Sequence, residues 1–193
     1  ESAAEASQVF VWDRARFQPD ELVRREGAGA FRGEGIFSSA GQSVEQSVAP
    51  GSSATFRVAI RNAADFADGF LVTGPAGDGA NWQVQYSDAL SSADVTAAVT
   101  GAGWPTGELA TGASRELRLV VRSLRASDLP QSLSLTATST TDATRTDAVL
   151  AIAQPDNDGD TLPDSWERAM FNATATATAT SDFDRDGLSD LGE

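Results

Sequence analysis

Ala54-Thr-Phe-Arg-Val-Ala-Ile-Arg61 alternates strictly: Phe56, Val58 and Ile60 fall on one side of an extended chain, Arg57 and Arg61 on the other. Successive side chains of a β-strand point to opposite faces, so the pattern predicts a half-buried strand of an antiparallel sheet. Working outward, Arg115-Glu-Leu-Arg-Leu-Val-Val-Arg122 repeats it, with Leu117, Leu119 and Val121 opposed to Arg118 and Arg122, and Trp82, Val84 and Tyr86 alternate likewise. Further strand-like runs are read at 34–38, 42–48, 66–73, 81–87, 94–100, 132–139 and 146–153. Between them stand Ala49-Pro-Gly51, Gly74-Pro-Ala-Gly-Asp-Gly79 and Gly101-Ala-Gly-Trp-Pro-Thr-Gly107, rich in residues that allow positive φ or fix φ. About eight short strands at this spacing predict an all-β fold, an immunoglobulin-like antiparallel sandwich. It is expected at 19–154, after an N-terminal arm at 1–18 and before a distinct segment at 155–193, with Pro155 marking the boundary.

That last segment is acidic in a patterned way. Asp182, Asp184, Asp186, Leu188, Asp190 and Glu193 occupy positions one, three, five, seven, nine and twelve of a loop, with Gly187 at six. Asp156, Asp158, Asp160, Leu162, Asp164 and Glu167 repeat the register 26 residues earlier, with Thr161 at six. A hard cation such as Ca²⁺ takes six to eight oxygens, which a short loop supplies from alternate side chains, a carbonyl at position seven and a bidentate Glu at twelve. Two Ca²⁺ sites are therefore expected, with Leu162 and Leu188 lending carbonyls while their side chains turn to a small core. The sharp turn at position six suits glycine and strains a β-branched residue, so Thr161 predicts the weaker loop unless Gly159 relieves it. Without a cation the clustered carboxylates repel, which couples metal to fold. Pro163 suits the first turn of an intervening helix. Trp166, Met170 and Phe171 are read as its core face, and the Ala-Thr run at 173–180 as a surface connector.

The wording Asp156-Asn-Asp-Gly-Asp-Thr-Leu-Pro-Asp-Ser-Trp-Glu167 followed by Asp182-Phe-Asp-Arg-Asp-Gly-Leu-Ser-Asp-Leu-Gly-Glu193 resembles thrombospondin type 3 and dockerin-like calcium repeats of secreted bacterial proteins. The resemblance implies repeats that stiffen the end of a module or connect it to the next. From residue 19 to 153 the chain is similar to extracellular β-sandwich modules of large bacterial surface proteins. That likeness is carried by Gly33-Glu-Gly-Ile-Phe37, Gly41-Gln42, Ala49-Pro-Gly51 with Ala54-Thr-Phe56, Arg61-Asn62, Ala67-Asp-Gly-Phe70, Asp94-Val-Thr96, Gly103-Trp104 and Gly112-Ala-Ser114. Such modules usually occur in tandem; here there is one.

Composition narrows the function. The 193 residues hold no cysteine, histidine or lysine, so disulfides, thiolate metal sites and histidine-dependent triads are excluded. The net charge of −14, with −8 of it after residue 155, has the wrong sign for nucleic acid. There is no apolar run long enough to span a membrane as a helix. A chain beginning at Glu1 is expected to be a mature secreted one, placed outside the cell where calcium is abundant. No G-x-S-x-G elbow or P-loop occurs, and Gly101-Ala-Gly103 lacks the spacing of a dinucleotide loop. Only a glycosidase-like carboxylate pair stays open, because spatial separation decides it.

Residues 1–17 lie outside the sandwich likeness. Val9, Phe10, Val11 and Trp12 have strong β-propensity and would make a sticky edge if exposed. Either they form the first strand of their own sandwich or they add to a sheet edge of the next copy, where main-chain hydrogen bonds give affinity. A head-to-tail contact that does not close makes a filament. The expected function is a structural subunit of a calcium-stabilised extracellular filament or surface array. The alternative is a calcium-dependent adhesion or docking module that binds another surface protein or a glycan.

Overall fold

The computed structural model describes residues 17–192. Val9, Phe10, Val11 and Trp12, and the twelfth-position Glu193, lie outside the described residues.

Alternation builds the sandwich. β3 (Ser53–Asn62) pairs antiparallel with β7 (Ser114–Ser123) in the register Phe56↔Leu119 and Val58↔Leu117. The apolar sides of both strands thus share one face, and Phe56, Val58, Ile60, Leu117 and Leu119 are fully buried. β1 (Pro19–Arg25) flanks β3 and β5 (Trp82–Asp88) flanks β7, giving a sheet of order β1-β3-β7-β5. The facing sheet contains β2 (Ser43–Val48), β4 (Asp68–Thr73), β6 (Trp104–Leu109), β8 (Gln131–Ser139) and β9 (Thr146–Pro155) in the order β2-β9-β8-β4-β6. Phe70, Leu133, Leu135, Val149 and Ala151 from this sheet meet the β3 and β7 residues in one core. Each such aliphatic or aromatic side chain contributes roughly 1.5–3 kcal/mol by leaving water. Tyr86 enters the core without an orphaned hydroxyl, because it donates to Pro75 O at 2.8 Å.

The fold is the all-β, immunoglobulin-like sandwich expected from the alternation, with local corrections. It is not wholly antiparallel, since β2 runs parallel to β9. Residues 34–38 form no strand: Gly35 N–H donates to Asp20 Oδ1, and the Gln42 amide donates to Ile36 O and Ser38 O, so side chains take the partners a ladder would supply. Residues 94–100 give no strand either. Thr96 N–H donates to Asp94 Oδ1 at 2.8 Å, a local bond that favours a turn over a ladder, and a single-turn helix α1 (Thr96–Val99) follows. Conversely, two strands arise where none was read. β1 starts on Pro19, a first position where the missing N–H costs nothing, and β6 occupies half of the stretch read as a turn, its Pro105 tolerated on an edge strand. Pro155 closes β9 instead of following it.

Candidate metal centre

The acidic segment grows directly out of the sheet. Asp156 N–H donates to Val48 O, extending the β2–β9 pairing by one residue into the first loop. The two loops then fold alike. The position-six N–H donates to the position-one carboxylate, Thr161 to Asp156 and Gly187 to Asp182. The position-seven N–H donates to the position-five carboxylate, Leu162 to Asp160 and Leu188 to Asp186. The position-two N–H donates to the position-nine carboxylate, Asn157 to Asp164 and Phe183 to Asp190. Positions four and six have positive φ in both: Gly159 and Thr161 at 83° and 81°, Arg185 and Gly187 at 63° and 99°.

These shared turns bring oxygens together. One carboxylate oxygen from each of Asp156, Asp158 and Asp160 lies within 4.8 Å of the others, and the same holds for Asp182, Asp184 and Asp186. Helix α2 (Asp164–Phe171), which starts after Pro163 and ends on left-handed Asn172, carries Glu167 near Asp158 and Asp160, outside the three-carboxylate cluster itself. Glu167 is 0 % exposed, and among the described residues neither of its oxygens finds a well-formed hydrogen bond, nor does Asp160 Oδ2. Burial, with Asp160 and Asp158 close by, raises the Glu167 pKa, and the Ala177 amide offsets this only in part. Orphaned buried acceptors cost about 1–3 kcal/mol each, more when charged. An all-oxygen donor set of this kind fits a hard divalent cation, which would relieve repulsion and desolvation together.

Not every expected ligand joins the groups. Asp164 is fully buried, but it braces Asn157 and pairs with Arg168 at 3.3 Å; Asp190 braces Phe183 and Ser181. Both position-nine residues hold the loop shut behind the cluster. Leu162 is buried as expected, whereas Leu188 is 55 % exposed. Met170 is 62 % exposed instead of sharing a core with Trp166 and Phe171, because Phe171 stacks edge-on with Trp166 and Phe183 and closes that small cluster without it. Residues 173–180 form no strand and run as a connector anchored by buried Ala177.

The strained Thr161 supports a direct prediction. Thr161→Gly is expected to tighten calcium binding at the first loop and raise stability by about 1 kcal/mol, since a β-branched residue at positive φ is penalised by about that much or more. Isothermal titration and a thermal melt measure both, and an unchanged affinity would show that the loop turn is not limiting.

Sequence reasoning missed what docks this segment. Asn157 exchanges hydrogen bonds with the backbone of Ser127, its Nδ2 donating to Ser127 O at 3.1 Å, and Arg168 pairs with Asp128 at 2.5 Å. Neither contact has a local signature, because the partners are 30 and 40 residues apart.

A second group of acids was also invisible. Glu21, 0 % exposed, points between the sheets towards Asp147 at 2 %, which accepts from the Glu21 N–H and from Gln42 Nε2. Desolvation, reinforced by Asp147, holds the Glu21 carboxyl well above its usual range, the amides of Ala137 and Val149 offsetting this in part. Desolvation likewise raises Asp147 to about 6. Asp20 beside them is paired with Arg61 at 2.5 Å. The one available signal was Glu21 sharing the inward register of Val23. This pair is sealed from solvent, so it does not present the accessible carboxylates that glycoside hydrolysis requires.

Fold and site together define an immunoglobulin-like β-sandwich with a C-terminal pair of equivalent acidic loops. No family model matches the chain, and no curated protein sequence does. Among solved structures it is similar to the secreted serine protease VesC from Vibrio cholerae, at 14 % identity and a TM-score of 0.37, over 57 % of this chain and 21 % of the protease. It thus spans about a fifth of the protease's length. It is also similar to the ASH/PapD-like domain 7 of human CEP192, at 9 % identity and 0.41 over 80 % of this chain and 96 % of that one. A FixG-related protein from Vibrio parahaemolyticus matches at 9 % identity and 0.39, over 70 % of this chain and 94 % of that one.

Proposed function

We propose that the chain is a non-catalytic structural subunit of a calcium-stabilised extracellular filament or surface array, assembled when the 8–12 arm of one copy adds as a strand to the next. The observation that supports it most is the cluster of Asp156, Asp158 and Asp160 with Glu167 buried beside Asp158 and Asp160, its oxygens lacking a well-formed hydrogen bond among the described residues. In this reading each loop holds one Ca²⁺, the two ions cancel four of the fourteen net negative charges, and the segment becomes a rigid body docked on the sandwich through Asn157 and Arg168. The repeats would then resemble thrombospondin type 3 or dockerin-like units in role as well as wording. No helix among the described residues is long and apolar enough to cross a membrane.

A second reading is favoured by Met170, Phe183, Leu188 and Leu191, all more than half exposed on the acidic segment. Apolar exposure of this kind suits a calcium-dependent adhesion or docking module that meets another surface protein or a glycan. Negative-stain microscopy in calcium and then in excess chelator separates the two. Long particles that shorten in chelator are expected; uniform monomers in both conditions would leave the docking module.

A further inference from the structure

The assembly reading requires an acceptor, and β2 supplies one. Among the described residues β2 is the edge strand of its sheet, bonded on one side only, to β9. Gln42 O and Val48 O accept from Leu150 and Asp156, so the even-numbered residues of this stretch face β9. Within a strand the N–H and C=O of one residue point the same way, and those of neighbours point oppositely. Ser43, Glu45 and Ser47 therefore direct their main-chain groups outward. They do so into a groove of about 740 Å³ whose floor is 43–47. Arg25 and Arg32 also line it, as do Leu162, Pro163, Trp166 and Leu191 from the acidic segment.

We infer that this groove is the acceptor for an extended strand, and that its occupant is 8–12 of a second copy. The inference rests on the assembly reading above and adds where the arm binds. Length fits: five extended residues cover about 16 Å, the span of the five-residue floor. Chemistry fits as well. In an extended Gln8-Val-Phe-Val-Trp12 the parity separates Val9 and Val11, which suit the apolar lining of Leu162, Pro163, Trp166 and Leu191, from Phe10 and Trp12, whose rings suit the guanidinium groups of Arg25 and Arg32.

A second copy is favoured over the chain's own arm by where the arm leaves. Phe17 sits against Phe66 and Gln18 donates to Thr146 O, at the opposite end of β1 from Arg25, about 20 Å away. A return along the outer edge of β1 is blocked, since Arg32 already pairs there with Val23 through two hydrogen bonds. The groove also links metal to assembly. Thr161 and Leu162 of the first loop and Asp190 of the second line it, so this lining takes its shape from the loops that calcium would order.

Two full-length variants test this. Glu45→Pro removes one outward N–H and leaves the β9 ladder intact, a substitution an edge strand tolerates; Ser47→Pro at the next outward position replaces it if Glu45→Pro loses its far-UV dichroism. Val11→Asp disables the donor. In sedimentation velocity with calcium, wild type is expected to grow with concentration and each variant alone to stay monomeric, association weakening by at least about tenfold. Mixed one to one, the variants are expected to stop at dimers, because one retains a donor and the other an acceptor. If the proline variant assembles like wild type while Val11→Asp does not, the acceptor lies elsewhere and this inference falls, with strand donation intact. If both assemble like wild type, or wild type itself stays monomeric, the assembly reading falls with it.

Discussion

Glu167→Gln is expected to reverse its effect on stability with calcium. In chelator the variant should melt higher than wild type, because it replaces a buried, orphaned carboxylate that faces Asp158 and Asp160 with a neutral amide of the same shape. In calcium it should melt lower, because the first loop loses its twelfth-position ligand and about a hundredfold or more in affinity. Wild type would gain about 2.7 kcal/mol per site at a calcium concentration one hundred times the Kd, and the variant should forfeit that gain at one site only. Titration calorimetry is expected to fall by one site. If the variant melts lower under both conditions, Glu167 serves packing alone. Asp186→Ala makes the matching test at the second loop, where unchanged stoichiometry would show the site misplaced.

Glu21→Gln is expected to stabilise the sandwich at pH 8 and to do much less at pH 4. Glu21 and Asp147 both have folded-state pKa values raised by burial, so between the unfolded value near 4 and the folded value the native state holds protons that the unfolded chain has released. Native stability therefore falls as pH rises from about 4 through the Asp147 value of about 6 and beyond. Asp88 acts with the opposite sign. Its hydrogen bond from Arg115 lowers it to about 2, so it supports the fold above its unfolded value and is lost as pH falls towards 2. The difference between wild type and Glu21→Gln isolates the buried pair. The gain at pH 8 follows from the raised Glu21 carboxyl, which a glutamine replaces without a charge to desolvate. Each kcal/mol appears as about 2–4 °C in Tm at this chain length. An equal loss at both pH values would show that the carboxylate is held ionised by contacts a glutamine cannot copy.

The sheet core was legible residue by residue. Phe56, Val58 and Ile60, and Leu117, Leu119 and Val121, are buried because a period of two maps sequence parity directly onto one face of a sheet. The loop turns were legible for the same reason, since positive φ at position six is dictated within a few residues. Where a local side chain competes with the ladder, as Asp94 does for Thr96 and Gln42 for residues 36 and 38, strand wording failed.

What the chain's sequence determined by itself, then, is what neighbours along it decide: alternation, the acid spacing repeated after 26 residues, the turns and the charge. Tertiary structure alone decided that β2 lies parallel to β9 at the edge of the described sheet, that Glu21 meets Asp147 across 126 residues, and that Asn157 and Arg168 seat the acidic segment on the loop at 127–128. It also decided which acids keep unsatisfied oxygens. Asp164 and Glu167 sit three residues apart on one helix, yet one is braced and the other orphaned, because burial and partner supply depend on what the rest of the fold packs against each.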